Sequence, residues 1–478
     1  VSMSLTPELI QQFLSMAQEL NSQTQPDGDM SEDDLAQHAL ETRFGGNLFF
    51  SRSKGWATFP AGNHFWIWDR HGDDVTAEVQ TMLRELRAAE RDQRKAQSLG
   101  GRTKRDNVVS LLKGLPDIRY SGEWDAHSML LATPNGIIDL TTGDLTKGTP
   151  GQRITRVVNV EYDPDAACPR WEKFLDEVFE HDSELPRYVQ RLLGYGITGS
   201  NKEQCFAVLF GEGANGKSTL LTVLRRILGD HAATVPFDMF TTSGKARGGP
   251  DAELLVGARV ALASETNRSA VLDSAAIKNA TGGEEVTVNP KYRDPYTFTP
   301  TALILLASNY KPVVREQDNG TWRRIKLIPF LQRFEGDRRD PQLEDKLLAE
   351  APGILAWLVR GAVEWHREGL NDPASIREAV QAYKEDSDPL AGFFPGVIVA
   401  DPEGRITNAD LWDAYTGWAD SEGNRLFQSL RTLSTALKER NRRIGPFNTK
   451  GKRGCTGIRL ADARDHSGGP GIFNREDV

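Results

Sequence analysis

Four short apolar runs punctuate the middle of the chain, each closing on small or polar residues: Cys205-Phe-Ala-Val-Leu-Phe210, Arg259-Val-Ala-Leu-Ala263, Thr301-Ala-Leu-Ile-Leu-Leu-Ala307 and Ile325-Lys-Leu-Ile-Pro-Phe330. All four predict strands, and the second and third read as buried on both faces, as in a parallel sheet covered by helices. Helical spacing follows the first run over 218–228 and returns over Leu343 to Glu350, Pro352 to Glu368 and Ile376 to Ser387. Upstream, Pro7 to Leu20 is amphipathic and Asn21 to Asp29 reads as a linker. Ser31-Glu32-Asp33-Asp34 then predicts a capped helix start. Short strands over Asn47–Phe50 and His64–Asp69 flank Trp56, and helices are expected over Val75 to Gln97 and Val108 to Leu115. Turns at Pro134-Asn-Gly136 and Thr142-Gly-Asp144 separate further short strands, before helices from Arg170 to Phe179 and Pro186 to Tyr195. At the other end, helices over Asn408 to Ala419 and Ser429 to Arg440 lead into a β-ribbon reaching Leu460. Ala461 to Val478 is polar, Gly-rich and expected to be flexible.

Composition narrows this picture only a little. The 478 residues carry a net charge of -9, with 38% hydrophobic and 26% charged side chains, so any attraction to nucleic acid must come from a local patch. Cys168, Cys205 and Cys455 are too scattered for a zinc site or a disulfide framework. No cleavable apolar leader and no membrane-length apolar stretch is present, which leads to an expected cytoplasmic location without membrane contact.

The strongest local signal follows the first apolar run. Gly211-Glu212-Gly213-Ala214-Asn215-Gly216-Lys217-Ser218-Thr219 fits G-x-x-x-x-G-K-[ST] between a strand and a helix, where the pattern has physical meaning. Its glycines let backbone N–H groups and the helix N-terminus converge on phosphates; Lys217 would reach the β- and γ-phosphates of ATP, and the Ser218 hydroxyl would ligate Mg²⁺. Hydrolysis also needs a carboxylate for the attacking water, a polar group near the γ-phosphate and a cation for the transition state. Glu265, just past the second apolar run, is the candidate carboxylate, and Asn309, just past the third, the polar group. Arg323 and Arg324, before the fourth run, are either ordinary ion-pair formers or a finger acting in a neighbouring subunit.

Three other stretches carry candidate nucleic-acid chemistry. Val286-Thr-Val288 and Tyr296-Thr-Phe298 flank a Pro-containing tip, predicting a hairpin that projects Lys291 and Arg293; a solvated structural hairpin has the same local sequence. Trp56, Phe65, Trp66 and Trp68 form either a small core or a stacking face for bases. Residues 425–460 hold ten basic side chains, Arg442, Arg443, Lys450, Lys452 and Arg453 among them, against Glu439 alone. Two helices and a basic ribbon follow the order of a winged helix, whose cations would contact phosphate rather than read bases.

Taken together, the motifs from about Ile118 to Leu460 resemble the superfamily 3 helicases of phage and plasmid primase-helicase proteins, within the AAA+ ATPases. The loop at 211–219 resembles their Walker A, Ala263-Ser-Glu-Thr266 their Walker B, Ala307-Ser-Asn309 their sensor 1, and Trp322-Arg-Arg324 their arginine-finger segment. The resemblance implies a homo-hexameric ring that hydrolyses ATP with Mg²⁺ and moves along single-stranded or forked DNA, with Lys291 on the DNA backbone in a central channel. It also implies a phage, prophage or plasmid setting in a bacterial host's cytoplasm. The N-terminal hundred residues look too short for a primase, so a separate primase or polymerase partner is expected. The fold class expected is α/β: an AAA+ type P-loop ATPase core, a small α+β N-terminal region and a C-terminal winged-helix-like domain. The corresponding boundaries are 1–100, 101–200 (mostly helical), 201–375 (ATPase), 376–460 (winged helix) and 461–478 (tail).

Overall fold

The computed structural model describes residues 30–462 and 465, apart from 53, 120–122, 181, 243–249, 265–269, 290–294, 389, 423–426, 442 and 450. They form two compact units: one holds the described residues up to His127 together with Lys147–Arg156, the other Ser128–Thr146 and everything from Val157 onward.

In the first unit α1 (Glu32–Phe44) begins at Ser31, whose hydroxyl accepts from Asp34 N at 3.1 Å while Asp34 reaches back to Ser31 N at 2.9 Å. This reciprocal cap satisfies two otherwise orphaned groups. An antiparallel sheet of β1 (Leu48–Ser51), β2 (Gly55–Thr58) and β3 (Ile67–Asp69) follows. The single helix expected over Val75 to Gln97 is two, α2 (Asp73–Ala89) and α3 (Gln93–Leu99), because Asp92 starts a new helix by accepting from Arg94 N and Lys95 N. With α4 (Arg102–Leu112) they bury Leu35, Leu40, Trp56, Val79, Met82, Leu83 and Val108. Trp56 and Trp66 are only 2% and 1% exposed, and Trp66 Nε1 donates to Pro150 O at 3.0 Å, so these two rings are core and offer no face to a base.

The second unit opens with a meander of β4 (Leu130–Thr133), β5 (Gly136–Asp139) and β6 (Leu145–Thr146), then α5 (Pro169–Val178) and α6 (Leu185–Ile197). Its centre is built from β7 (Phe206–Phe210), α7 (Lys217–Leu228), β8 (Ala232–Thr234), β9 (Val260–Ser264), α8 (Ser274–Thr281), the hairpin β10 (Val286–Val288) and β11 (Tyr296–Phe298), β12 (Leu303–Ser308), the short α9 (Asn319–Trp322) and β13 (Ile325–Pro329). Five of these strands make one parallel sheet in the order β13-β7-β12-β9-β8. Both faces are covered. Ala207, Leu209, Leu262, Leu303, Leu305 and Ile328 enter one core with α6 and α7, while Phe206, Val208, Ala261, Ile304, Leu306 and Leu327 enter a second with Phe237 and Tyr383. Two-sided burial explains why these strands read as continuous apolar runs, and the molecule is a mixed α/β fold around a parallel sheet.

Helices α10 (Leu343–Leu348), α11 (Ala351–Glu368) and α12 (Ala374–Asp386) follow. The chain then enters a sheet of order β14-β16-β15, from β14 (Ile398–Thr407), β15 (Gly445–Thr449) and β16 (Lys452–Leu460), with α13 (Asn408–Ser421) and α14 (Leu430–Arg440) between the strands. These elements share a small core of their own around Phe393, Tyr415 and Ile458. The sequence pattern does not predict β14, since Asp401-Pro-Glu-Gly404 reads as a turn. The register shift between Ala400 and Arg405 bulges those residues out of the pairing with β16.

Candidate nucleotide site

All strands of the central sheet point the same way, so their C-terminal ends share one rim. Phe210 lies beside Ser308 and Ser264 beside Ala307, which brings the loop after β7 and the segments after β9 and β12 together. In open α/β sheets this rim is where ligands bind. Gly211 fits there because a Cβ would stand 2.0 Å from Phe330 O, and Gly216 adopts φ +90° at the start of α7, where a Cβ would press on Phe174 at 2.9 Å. No side chain caps α7, so the N–H groups of its first turn face the loop.

Lys217 is 5% exposed, and among the described residues its ammonium donates to neutral oxygens: Gly211 O, Asn215 Oδ1 at 3.0 Å and Asn309 Oδ1 at 3.3 Å. Asn215 is held in turn by donating Nδ2 to Phe330 O at 3.1 Å. Burial pushes the Lys217 ammonium down to about 8. A desolvated cation at the N-terminus of a helix and inside a glycine-lined turn, with no carboxylate bonded to it among the described residues, fits a polyphosphate. Asn309 is aimed by a tight turn in which the Ser308 hydroxyl donates to Tyr310 O and accepts from Tyr310 N at 3.1 Å. Glu212, Gly213, Ala214 and Ser218 are exposed along the loop, with Thr219 half-buried behind them. Glu265 lies outside the described residues; the strand before it ends at Ser264 on the rim.

The two adjacent arginines differ in kind. Arg324 is buried, donating Nε to Thr281 Oγ1 at 3.2 Å and a terminal nitrogen to Gly320 O, and burial lowers its pKa. Arg323 is exposed and touches Gln204 Oε1 at 2.6 Å. In the parallel register Ile325 pairs with Phe206 and Pro329 with Phe210, so both arginines sit where the strands begin. The length of β7 separates them from the loop 211–219 of their own chain by roughly 15 Å, beyond the reach of an arginine side chain. Gln204, which joins both guanidinium groups, carries no motif; nothing in the sequence singles it out.

Of the expected DNA contacts, Lys291, Arg293, Arg442 and Lys450 lie outside the described residues. The hairpin strands that lead to Lys291 pair as expected, Val286 with Phe298 and Val288 with Tyr296. Arg443, Lys452 and Arg453 are exposed, the last two on the β15–β16 ribbon opposite Thr449 and Asn448. The basic patch is smaller than the sequence count suggests. Arg440 pairs with Asp388, and Arg459 is held by Asp401 at 3.2 Å and Asp465 at 2.7 Å.

Comparisons with known proteins agree with a nucleotide-handling core and change its setting. Residues 37–180 match the family described as D5 N terminal like, and residues 209–324 a family of unknown function (DUF5906). The chain is similar to a candidate helicase, L207/L206, of Acanthamoeba polyphaga mimivirus, at 27% identity over 65% of this chain and 35% of that protein. It is also similar to a candidate helicase, 184R, of Invertebrate iridescent virus 6 (24% identity, 71% of this chain, 39% of that protein) and a candidate primase, C962R, of African swine fever virus (22%, 69% and 38%). The chain thus spans a little over a third of the length of these curated relatives. Among solved structures, the apo C-terminal region of NrS-1 (305–718) aligns with a TM-score of 0.47 at 11% identity, over 90% of this chain and 99% of that one. The mimivirus, iridescent virus and African swine fever virus relatives overturn the phage, prophage or plasmid assignment and the bacterial cytoplasm: they belong to large DNA viruses of eukaryotic hosts. A phosphate loop of this pattern would serve either setting and does not report the host. No helix among the described residues is long and apolar enough to cross a membrane.

Proposed function

We propose that this chain is the ATP-hydrolysing motor portion of a helicase-primase of viral DNA replication, translocating on single-stranded or forked DNA as a homo-hexameric ring. The observation that carries this reading is the Lys217 ammonium, buried at the sheet rim at the start of α7 and bonded, among the described residues, to the neutral oxygens of Gly211, Asn215 and Asn309. In this reading Lys217 and the N–H groups of 211–219 hold the triphosphate, and the Ser218 hydroxyl takes a place on Mg²⁺, which neutralises charge on the phosphates. Asn309 orients the attacking water or the γ-phosphate, and Glu265 activates the water.

Arg323 serves the site of a neighbouring copy, because it stands at the opposite edge of the sheet from its own; removing such a finger costs about 10³ to 10⁵ in rate. Arg324, spent on contacts within its own chain, is the strut rather than the finger. Lys291 and Arg293 on the hairpin, with Arg442, Arg443, Lys450, Lys452 and Arg453 on the wing, meet DNA phosphates. A primase partner, on the same or another chain, completes the reading.

The test is unwinding of a forked duplex with ATP and Mg²⁺ by the protein and by Lys217→Ala. Strand separation by the former alone is expected. ATP hydrolysis without strand separation would instead indicate a loader or origin-binding ATPase.

A further inference from the structure

The side-chain amide of Gln204 stands between the turn that bears Arg323 and the foot of the β10–β11 hairpin. Its oxygen accepts from Arg323 at 2.6 Å and from Arg324 at 3.4 Å, and its nitrogen donates to Gly282 O at 3.2 Å. Two guanidinium donors on one side and a carbonyl on the other leave one orientation of the amide satisfied. Gly282 follows α8 directly and precedes β10 by four residues. Two ties run beside this bridge. Arg324 Nε donates to Thr281 Oγ1 at the end of α8, and Lys278 within α8 pairs with Asp318 at 3.0 Å. Asp318 also caps α9, accepting from Thr321 N at 3.1 Å and Thr321 Oγ1 at 2.8 Å. Gln204 itself has φ +49°, a conformation uncommon for residues with side chains, at the position where its side chain is used.

We propose that Gln204 is a positioning residue that couples Arg323 to the β10–β11 hairpin. When Arg323 engages a triphosphate on a neighbouring copy, its displacement passes through the Gln204 amide to Gly282 and so to the base of the hairpin. Because coupling between sites is reciprocal, DNA on the hairpin acts through the same hydrogen bonds on Arg323. The inference rests on the functional reading above, in which Arg323 acts on a neighbour and the hairpin meets DNA. It goes beyond that reading by naming the side chain between them.

Gln204→Glu separates the two halves of the bridge. The carboxylate still accepts from both arginines but sets an oxygen against Gly282 O, where a donor is needed. The experiment is steady-state ATP hydrolysis by the full chain with Mg²⁺, with and without an oligo-dT single strand. The expected result is a DNA-free rate within about twofold of wild type, an unchanged KM for ATP, and stimulation by DNA reduced at least about fivefold. Gln204→Met, of similar volume and uncharged, is the second variant in case the carboxylate disturbs folding; it also loses the donor to Gly282, and its stimulation falls likewise. A stimulated wild type with either variant folded and equally stimulated overturns the coupling role and leaves the functional reading standing. A wild type whose hydrolysis ignores DNA defeats the functional reading and this inference together, and the two failures are told apart by which protein shows them.

Discussion

An ammonium taken out of water by burial gives up its proton more easily than one in solvent, and Lys217 is such a residue. Its pKa stands near 8 against an ordinary value of 10.5. A triphosphate binds the charged form, so in the free protein the competent fraction shrinks as pH rises through about 8, and the bound anion restores the proton. Between pH 8 and 10.5, nucleotide binding is therefore expected to take up a proton, with affinity falling up to about tenfold per pH unit. Calorimetry at pH 8.5 in two buffers of different ionisation enthalpy checks this; equal heats and a dissociation constant flat from pH 7.5 to 9.5 contradict it. The depressed pKa also means that the charged lysine opposes folding of the nucleotide-free protein below pH 8, and that this penalty fades as pH rises toward 10.5. The loop was legible in the sequence because its pattern is local, nine consecutive residues between a strand and a helix. The different surroundings of Arg323 and Arg324 were not. They depend on Thr281, Gly320 and Gln204, which approach only when β13 pairs with β7.

Among the elements, α6 and α11 pack without room for a methyl group. A Cβ on Gly194 would stand 2.2 Å from Ala362 N, and one on Gly361 2.1 Å from Gln190 O. Gly361→Val must therefore push the helices apart, and a loss of about 3 kcal/mol is expected from overpacking, read as a lower urea midpoint at unchanged slope. Both helices were predicted from their apolar spacing, yet their pairing was not, because a glycine within a helix looks like a weak point until its partner is known. The same limit applied to β8 and β14. The first is three residues long, and the second is interrupted by a bulge, so neither reaches the length at which periodicity decides. The basic ribbon bears a separate prediction. Replacing Arg443, Lys452 and Arg453 together by Ala is expected to weaken single-stranded DNA binding and to flatten the slope of log K against log salt by up to about 2. An unchanged slope removes those three side chains from the interface.

For the molecule as a whole, the parallel sheet sets the phosphate loop on one rim and Arg323 at the other edge. A subunit with Arg323→Ala keeps an intact loop, and one with Lys217→Ala keeps an intact arginine. Mixing these two inactive proteins is expected to recover ATP hydrolysis where an intact loop meets an intact arginine across a subunit boundary. A mixture as inactive as its parts rules out the shared site. The parallel sheet was legible because both of its faces are buried and its strands are consequently apolar throughout. Its two ends were legible as well, since parallel strands share a C-terminal rim; the order β13-β7-β12-β9-β8 was not, because it depends on which strands pair across the crossovers.

A body whose two halves of one site face opposite ways cannot satisfy itself by twofold pairing, which would join like edge to like edge. Only repeated head-to-tail addition joins unlike edges. An open row of n such subunits always contains n − 1 complete sites, whereas closure into a ring completes the last one without adding a subunit. Turnover per subunit is then a measure of closure as well as of catalysis: it rises with protein concentration while rows lengthen and becomes constant once the rows have closed.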